Sequence, residues 1–300
     1  MKSRTLAGSL AKKFYERSCA KMPEDDMAAI VVRFRKANAK ESTEATADQN
    51  ASMVLKFLAQ ENIAVPEDIT PSVVQDFLTR LDRAPSTVNN YRAAISRLCS
   101  YMVMRGELPY NPVAVTRPAK VQNIYPRYLD DKGIKKCLEL AGIAGIYREV
   151  KTALFTGMRR GELMRLMGSD VQDTPTGKVF LVRQSKNNRP RTVPMHPELF
   201  DIYATPIPPD EPVFRRRGAK SWQRDITKVA NHIPLFHELK GSRIGRGWHL
   251  LRHTFASRAA QQGVPLQKIA QWLGQSYIHV IQRYAHLAPP DASDEDMRKV

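Results

Sequence analysis

The chain has 300 residues, 42% of them hydrophobic and 26% charged, with 47 Lys+Arg against 30 Asp+Glu and a net charge of +17. That length suits two domains, each able to bury its own core, and the composition is that of a soluble globular protein. The basic excess favours a polyanionic partner, nucleic acid before an anionic membrane surface, and no apolar run approaches the roughly 20 residues of a membrane span.

The excess is uneven. Residues 1–122 carry 18 basic and 13 acidic groups, and residues 123–300 carry 29 and 17, so the C-terminal part should make the denser phosphate contact. At the N-terminus, Lys12 and Lys13 break "TLAGSLAKKFYER", which argues against a signal peptide and for a cytoplasmic protein. Cys19, Cys99 and Cys137 are odd in number and share no ligand spacing, so buried reduced thiols are expected rather than a disulfide framework or a zinc site.

Residues 1–122 read as helices. "LAGSLAKKFYERSCAKM" and "EDDMAAIVVRFRKANAK" have apolar residues three and four apart, with a break at Met22 to Asp25. "TADQNASMVLKFLAQEN" is a third helix, with Met53, Val54, Phe57 and Leu58 inward. "ITPSVVQDFLTRL" is a fourth, with Thr70 as cap and Pro71 at its first position. In "APSTVNNYRAAISRLCSYMVMRGEL" one stripe joins Val88, Tyr91, Ala94, Ile95, Leu98 and Met102, leaving Arg92 and Arg97 outside it. Gly106 ends this helix, and the proline-rich "LPYNPVAVTRPAKVQNIYP" reads as a linker.

From Tyr128 the pattern changes. "LDDKGIKKCLELAGI" is a helix, and "IYREVKTALFTGMRRGELMRLM" divides at Thr156-Gly157 into two. "KVFLVRQ" and "RPRTVPM" flank the polar Ser185 to Asn188, a hairpin signal. "DIYATPIPPDEPVFRRRGAKSW" reads as a proline-rich surface segment and "WQRDITKVANHI" as a helix. In Trp248 to Leu287, Gly263 and Gly274 should each end a helix, and Ser276 should cap the last. The order is that of a mostly α, α+β chain with one small antiparallel sheet.

This last stretch concentrates chemistry. Helical spacing should give His249, Arg252 and His253 a shared surface, suited to holding an anion. Other candidates stand apart: Arg159 just after a glycine turn, Lys186 at the hairpin tip, and Tyr284 on the final helix. His249 and His253 lie four apart, as zinc-protease ligands do. The intervening "LLR" has no glutamate base, however, and Arg252 would oppose a cation. His232 and His237 have no partner motif.

The strings "ALFTGMRRGELMRL", "SKNNRPRTVPM", "HLLRHTFASRAAQQG" and "WLGQSYIHVIQRYAHL" follow in that order. Together they resemble the catalytic domain of the tyrosine recombinases, the phage integrase family, over about Tyr128 to Leu287. "STVNNYRAAISRLCSYMVMRGELPYNP" more weakly resembles that family's helical core-binding domain. The resemblance implies a core-binding DNA-binding domain over 1–122 and a catalytic domain over 123–300. It assigns catalytic roles to Arg159, Lys186, His249, Arg252 and Tyr284, the last as nucleophile. Glu162 matches the usual acidic neighbour of the first arginine. Lys186 stands five residues before Arg191 and eight before Pro194, with Lys178 as the rival lysine. Arg160 and Arg165 read as solvated helix charges, and His253, His279 and His286 as support. One position departs: nine residues before Tyr284, where the family usually has His or Trp, stands Gln275. An amide can still donate a hydrogen bond to a phosphate oxygen but supplies no proton.

The implied function is site-specific cutting and rejoining of DNA strands through a covalent 3′-phosphotyrosine, without metal, ATP or other cofactor. The implied partners are double-stranded DNA, clamped between the two domains with a helix near residues 86–104 in the major groove, and three further protomers in a tetramer on two sites. An accessory DNA-binding protein fits the same picture, and no membrane does. The short "APPDASDEDMRKV" tail, acidic at its centre, is expected to dock on a basic neighbour, with disorder as the alternative. Two other readings stay open: a type IB topoisomerase acting as a monomer, and a non-catalytic DNA-binding regulator of the same fold.

Overall fold

The computed structural model describes residues 26–121, 127–183, 190–214, 218–239 and 247–289. The helix expected over residues 6–22, Cys19, Lys186 with the hairpin tip, and the C-terminal tail from residue 290 lie outside the described residues. The chain divides into two compact units, Met1–Asn123 and Ile124–Val300.

The first unit is helical. Asp26 caps α1 (Met27–Glu41), its carboxylate accepting the Ala28 N–H, and Met27, Ile30, Val31 and Phe34 face inward. Thr43 caps α2 (Glu44–Glu61), which ends at Asn62 in the left-handed region, φ 54°. Its inner face is Ala47, Asn50, Ala51, Val54, Phe57 and Leu58, while Met53 is half-buried. Thr70 accepts the Val73 N–H to cap α3 (Pro71–Arg80). Phe77 on α3 meets Phe57 edge to face, with ring centroids 5.1 Å apart. Burial of each such ring contributes about 1.5–3 kcal/mol.

α4 (Pro85–Met104) buries Val88, Ala94, Ile95, Leu98, Cys99 and Met102. Cys99 takes a core place, and Tyr91 is only half-buried. Burial pushes the Cys99 thiol up to about 12, so it is inert.

The segment expected to be a linker is docked up to residue 119. Asn111 Nδ2 donates to Ser96 and Ser100 on α4, Val113 is buried, and Asn89 and Ala119 exchange two hydrogen bonds. Arg92, off the apolar stripe, donates to Thr116 Oγ1 and to the carbonyls of Val113 and Thr116. Its guanidinium therefore ties α4 to this turn, adding a donor to the Val113 carbonyl, which also accepts the Thr116 N–H and hydroxyl.

The second unit opens with α5 (Asp131–Ile143), capped by Asp130, and α6 (Tyr147–Thr156). α6 ends at Gly157, φ 63°. A Cβ there would overlap the Phe255 ring and stand 2.8 Å from Leu273 Cδ2, so glycine is required on two counts. The short α7 (Arg160–Leu163) follows.

The sheet has three antiparallel strands, β1 (Val171–Thr174), β2 (Gly177–Val182) and β3 (Arg191–Pro194), in that order. The hairpin reading found β2 and β3 and missed β1. This edge strand, Val-Gln-Asp-Thr, exposes its two middle residues and so carries no apolar alternation. The segment read as proline-rich surface is partly core: Tyr203, Val213 and Phe214 are buried, and Pro212 bridges to Met167.

α8 (Ala219–Ala230) and the short α9 (Pro234–Glu238) lead to α10 (Trp248–Gln261), α11 (Leu266–Leu273) and α12 (Tyr277–Tyr284). Gly263 and Gly274 both have positive φ at the turns that end α10 and α11. Ser276 occupies the N-cap of α12 without a capping bond, and its hydroxyl lies 2.8 Å from His279 Nδ1 instead. Cys137 is buried in this unit's core. No helix among the described residues is long and apolar enough to cross a membrane.

Candidate active site

The C-terminal end of α11 organises the cluster. The last carbonyls of a helix lack intrahelical donors and carry the negative end of its dipole, so they attract cations. Three arginines from three elements occupy three successive carbonyls here. Arg191 Nε donates to Trp272 O at 2.7 Å, Arg252 Nη2 to Leu273 O at 2.7 Å, and Arg159 Nη2 to Gly274 O at 3.0 Å. Gly274 can turn the chain left-handed at φ 60°. A Cβ on it would stand 3.0 Å from Arg191 Nη1, so the absence of a side chain admits the guanidinium.

Among the described residues, Glu162 is the one carboxylate bonded to these arginines. Arg191 donates to both its oxygens, at 3.0 and 2.7 Å, and Arg159 adds a side-chain bond of 2.9 Å and a backbone N–H bond of 2.8 Å. Burial alone would raise its pKa, but the hydrogen bonds and charge of Arg191, followed by the bonds from Arg159, hold it below the usual carboxylate value. One anion facing three guanidiniums leaves the cluster cationic. Arg159 keeps a quarter of its side chain exposed, so it can reach an incoming anion.

Arg252 is buried at 4% exposure and also donates to Gly157 O at 2.7 Å. Burial, then Arg159 beside it, pulls its pKa down to about 9, against the opposing pull of Glu162. It stays cationic at neutral pH, and a second anion nearby would relieve it. Gln275, next along from Gly274, is half-buried, and its Oε1 is buried without a hydrogen-bond partner. That orphaned atom fits a site whose remaining partner is a ligand.

Tyr284 ends α12 at 1% exposure. Burial raises its hydroxyl to about 12, opposed by Arg252 and Arg283. Its oxygen lies 2.6 Å from Nδ1 of His253. Burial, followed by Arg283, His249 and Arg252, lowers His253 to about 3, so the ring is neutral.

The expected shared face of His249, Arg252 and His253 is corrected by this arrangement. Arg252 points into the protein, His253 is half-buried against Tyr284, and His249 is exposed. The helix brings these residues close, but the burial around α10 gives each a different environment. Lys186 lies outside the described residues. The rival Lys178 is paired with Asp173 at 3.0 Å. Arg160 is half-buried and donates to Gln223, while Arg165 is exposed. His232, His279 and His286 are exposed.

In the sequence Arg191 serves only to place Lys186, yet in the fold it ties β3 to Glu162 and α11. The order of the strings carried no sign of this, since a lone arginine opening a strand has no periodic signature. His253 was read as support. Its adjacency to Arg252 was visible, but its approach to Tyr284 depends on how α10 and α12 pack. Among the described residues no group of three or more His, Cys, Asp or Glu is placed to hold a metal ion.

Comparisons with known proteins agree with this architecture. Residues 144–290 match the phage integrase family. Tyrosine recombinase XerC of Haemophilus influenzae (strain PittEE) is 28% identical over 250 residues, covering 78% of this chain and 82% of the relative. Among solved structures, the XerH site-specific recombinase bound to palindromic difH substrate, a post-cleavage complex, has a TM-score of 0.66 at 19% identity, covering 90% of this chain and 83% of that one. A lambda integrase(75-356) dimer bound to a COC′ core site gives 0.64 at 19%, covering 85% and 97%. At these identities the structural likeness speaks for the fold, and the sequence matches speak for descent. Through residues 144–290, just under half of its length, this chain is similar to the phage integrase family, the tyrosine recombinases.

Proposed function

We propose that this protein is a site-specific DNA recombinase that cuts and rejoins strands through a covalent 3′-phosphotyrosine on Tyr284. The observation that carries the reading is the convergence of Arg159 and Arg252 on adjacent carbonyls of α11, with Tyr284 packed against the residue that follows Arg252.

Attack on a phosphodiester adds negative charge to its non-bridging oxygens, and guanidiniums fixed in advance stabilise that charge without reorganising. Arg159 and Arg252 take this part. Gln275 adds an amide N–H to a non-bridging oxygen, where the amide can turn to present either end. His249 donates to the phosphate from the exposed start of α10, and Lys186 gives a proton to the leaving 5′ oxygen. The phosphotyrosine conserves the energy of the broken bond, so a new 5′ hydroxyl can reverse the step without ATP.

The partner is double-stranded DNA, and the net charge of +17 supports it. The XerH structure is bound to palindromic difH substrate and the lambda integrase dimer to a COC′ core site. Extending that to this chain, the N-terminal unit lays α4 in the major groove, and four protomers join two sites, with or without an accessory protein.

A nicked suicide duplex containing the target site tests this in buffer with EDTA and without ATP. A detergent-stable protein–DNA adduct that maps to the Tyr284 peptide is expected. Adduct formation that needs a divalent cation would overturn the mechanism, and relaxation of supercoils independent of site would move the protein to topoisomerase-like work.

A further inference from the structure

The contact between His253 and Tyr284 joins a reacting atom to a group that the reading above does not use. At 2.6 Å, the phenolic oxygen and Nδ1 share a hydrogen bond at the short end of the usual range. Burial raises the phenol to about 12 and lowers the imidazole to about 3, so both groups are neutral, and in the ring tautomer that carries its proton on Nε2 the phenol donates and Nδ1 accepts.

We propose that His253 is the general base that takes the Tyr284 proton as the hydroxyl attacks phosphorus, in place of the exposed His249. The proposal rests on the reading of Tyr284 as nucleophile. As the Oη–P bond forms, the Oη–H bond breaks and its proton moves to Nδ1. The P–O5′ bond then breaks, and its electron pair leaves with O5′, which is protonated by a separate donor, Lys186 in the reading above. In the reverse step the incoming 5′ hydroxyl returns its proton to that donor, and the departing phenolate recovers its own from His253. Geometry sets the assignment: a base must stand within hydrogen-bond reach of the proton it removes, and His253 does.

The surroundings make the imidazolium short-lived. Arg283 comes from α12, and His249 and Arg252 from the ring's own helix. Of the other elements packed on α10, α11 carries an exposed Lys268, and the turn after α12 carries an exposed His286. α6 carries Arg148 over the Tyr203 ring, Lys151 paired with Glu198, and the buried Glu149. A cation formed among the first three is repelled, which favours return of the proton on rejoining.

The test measures single-turnover adduct formation by the full-length protein on a nicked suicide duplex, from about pH 6 to 9. Wild type, His253→Ala, His253→Gln and Tyr284→Phe are compared, with DNA binding and circular dichroism recorded alongside. The glutamine fills the place of the ring without accepting a proton, so it covers the case in which alanine disturbs folding. Both His253 variants should bind DNA normally and lose about 10²–10⁴-fold in rate at pH 7. The deficit should shrink by about tenfold per pH unit, as hydroxide supplies the phenolate that the base no longer makes. Rates equal to wild type would overturn the proposal. So would faster rates, which would make the contact a resting latch, and so would a deficit constant with pH, which would make it packing. Adducts from Tyr284→Phe would instead sink the nucleophile reading on which the proposal stands.

Discussion

His253 shows how much one residue's environment decides. Its sequence position, directly after Arg252, suggested support for the helix. Its position in space puts an acceptor against a phenol and removes its charge. The same burial ties it to stability. Its folded pKa of about 3 lies below the unfolded value near 6.5, so the unfolded chain binds the extra proton between those values. Stability from this group is therefore full above about pH 6.5 and lost as pH falls toward 3, on the order of 5 kcal/mol in all. Glu162 acts on the same side but lower. Its depressed pKa contributes stability above the usual carboxylate value and loses it as pH falls through the folded one. Urea midpoints between about pH 7 and 4 should fall steadily for wild type and stay level for His253→Gln until carboxylates titrate. Parallel curves for the two proteins would contradict the assigned burial.

At the scale of elements, the end of α11 is the frame of the cluster. It gathers Arg159 from the turn after α6, Arg191 from β3 and Arg252 from α10, and Glu162 ties two of the three together. Truncating Glu162 to alanine leaves the buried Arg191 facing a carbonyl alone. We expect a loss of about 3–5 kcal/mol in urea unfolding, and less for Glu162→Gln, which keeps an oxygen acceptor. A loss under about 1 kcal/mol would show that the carbonyls alone hold the arginines.

Much at this scale was legible beforehand. The cap at Thr70 and the left-handed glycines Gly157, Gly263 and Gly274 announce helix ends through local chemistry, whereas the caps at Asp26 and Asp130 emerge only in the structure. β1 was not legible, because an edge strand with two exposed polar residues has no alternation to read. Nor was the docking of residues 108–119 on α4, since proline and asparagine mark a turn whether or not it packs. Arg92 could be placed off the apolar stripe, but its bonds to Val113 and Thr116 depend on that docking.

For the whole molecule, two compact units and a net charge of +17 suit a protein that covers a length of duplex. If both units contact phosphates, log K for DNA should fall with log salt at a slope steeper than about −5, since each neutralised phosphate contributes about −0.9. A slope near −2 would confine binding to one small patch. The ordered strings carry the family resemblance and name the candidate site residues, because short motifs survive as local sequence. The division of labour among the histidines was not legible, because it arises from packing between α10 and α12.

The proposed mechanism stands on attack of DNA by the Tyr284 hydroxyl. Wild type and Tyr284→Phe, matched for DNA binding, should be incubated with a nicked suicide duplex in EDTA and resolved under denaturing conditions. A covalent adduct is expected for wild type and none for the phenylalanine variant, which lacks only the hydroxyl oxygen. An adduct of equal yield from Tyr284→Phe would contradict that mechanism.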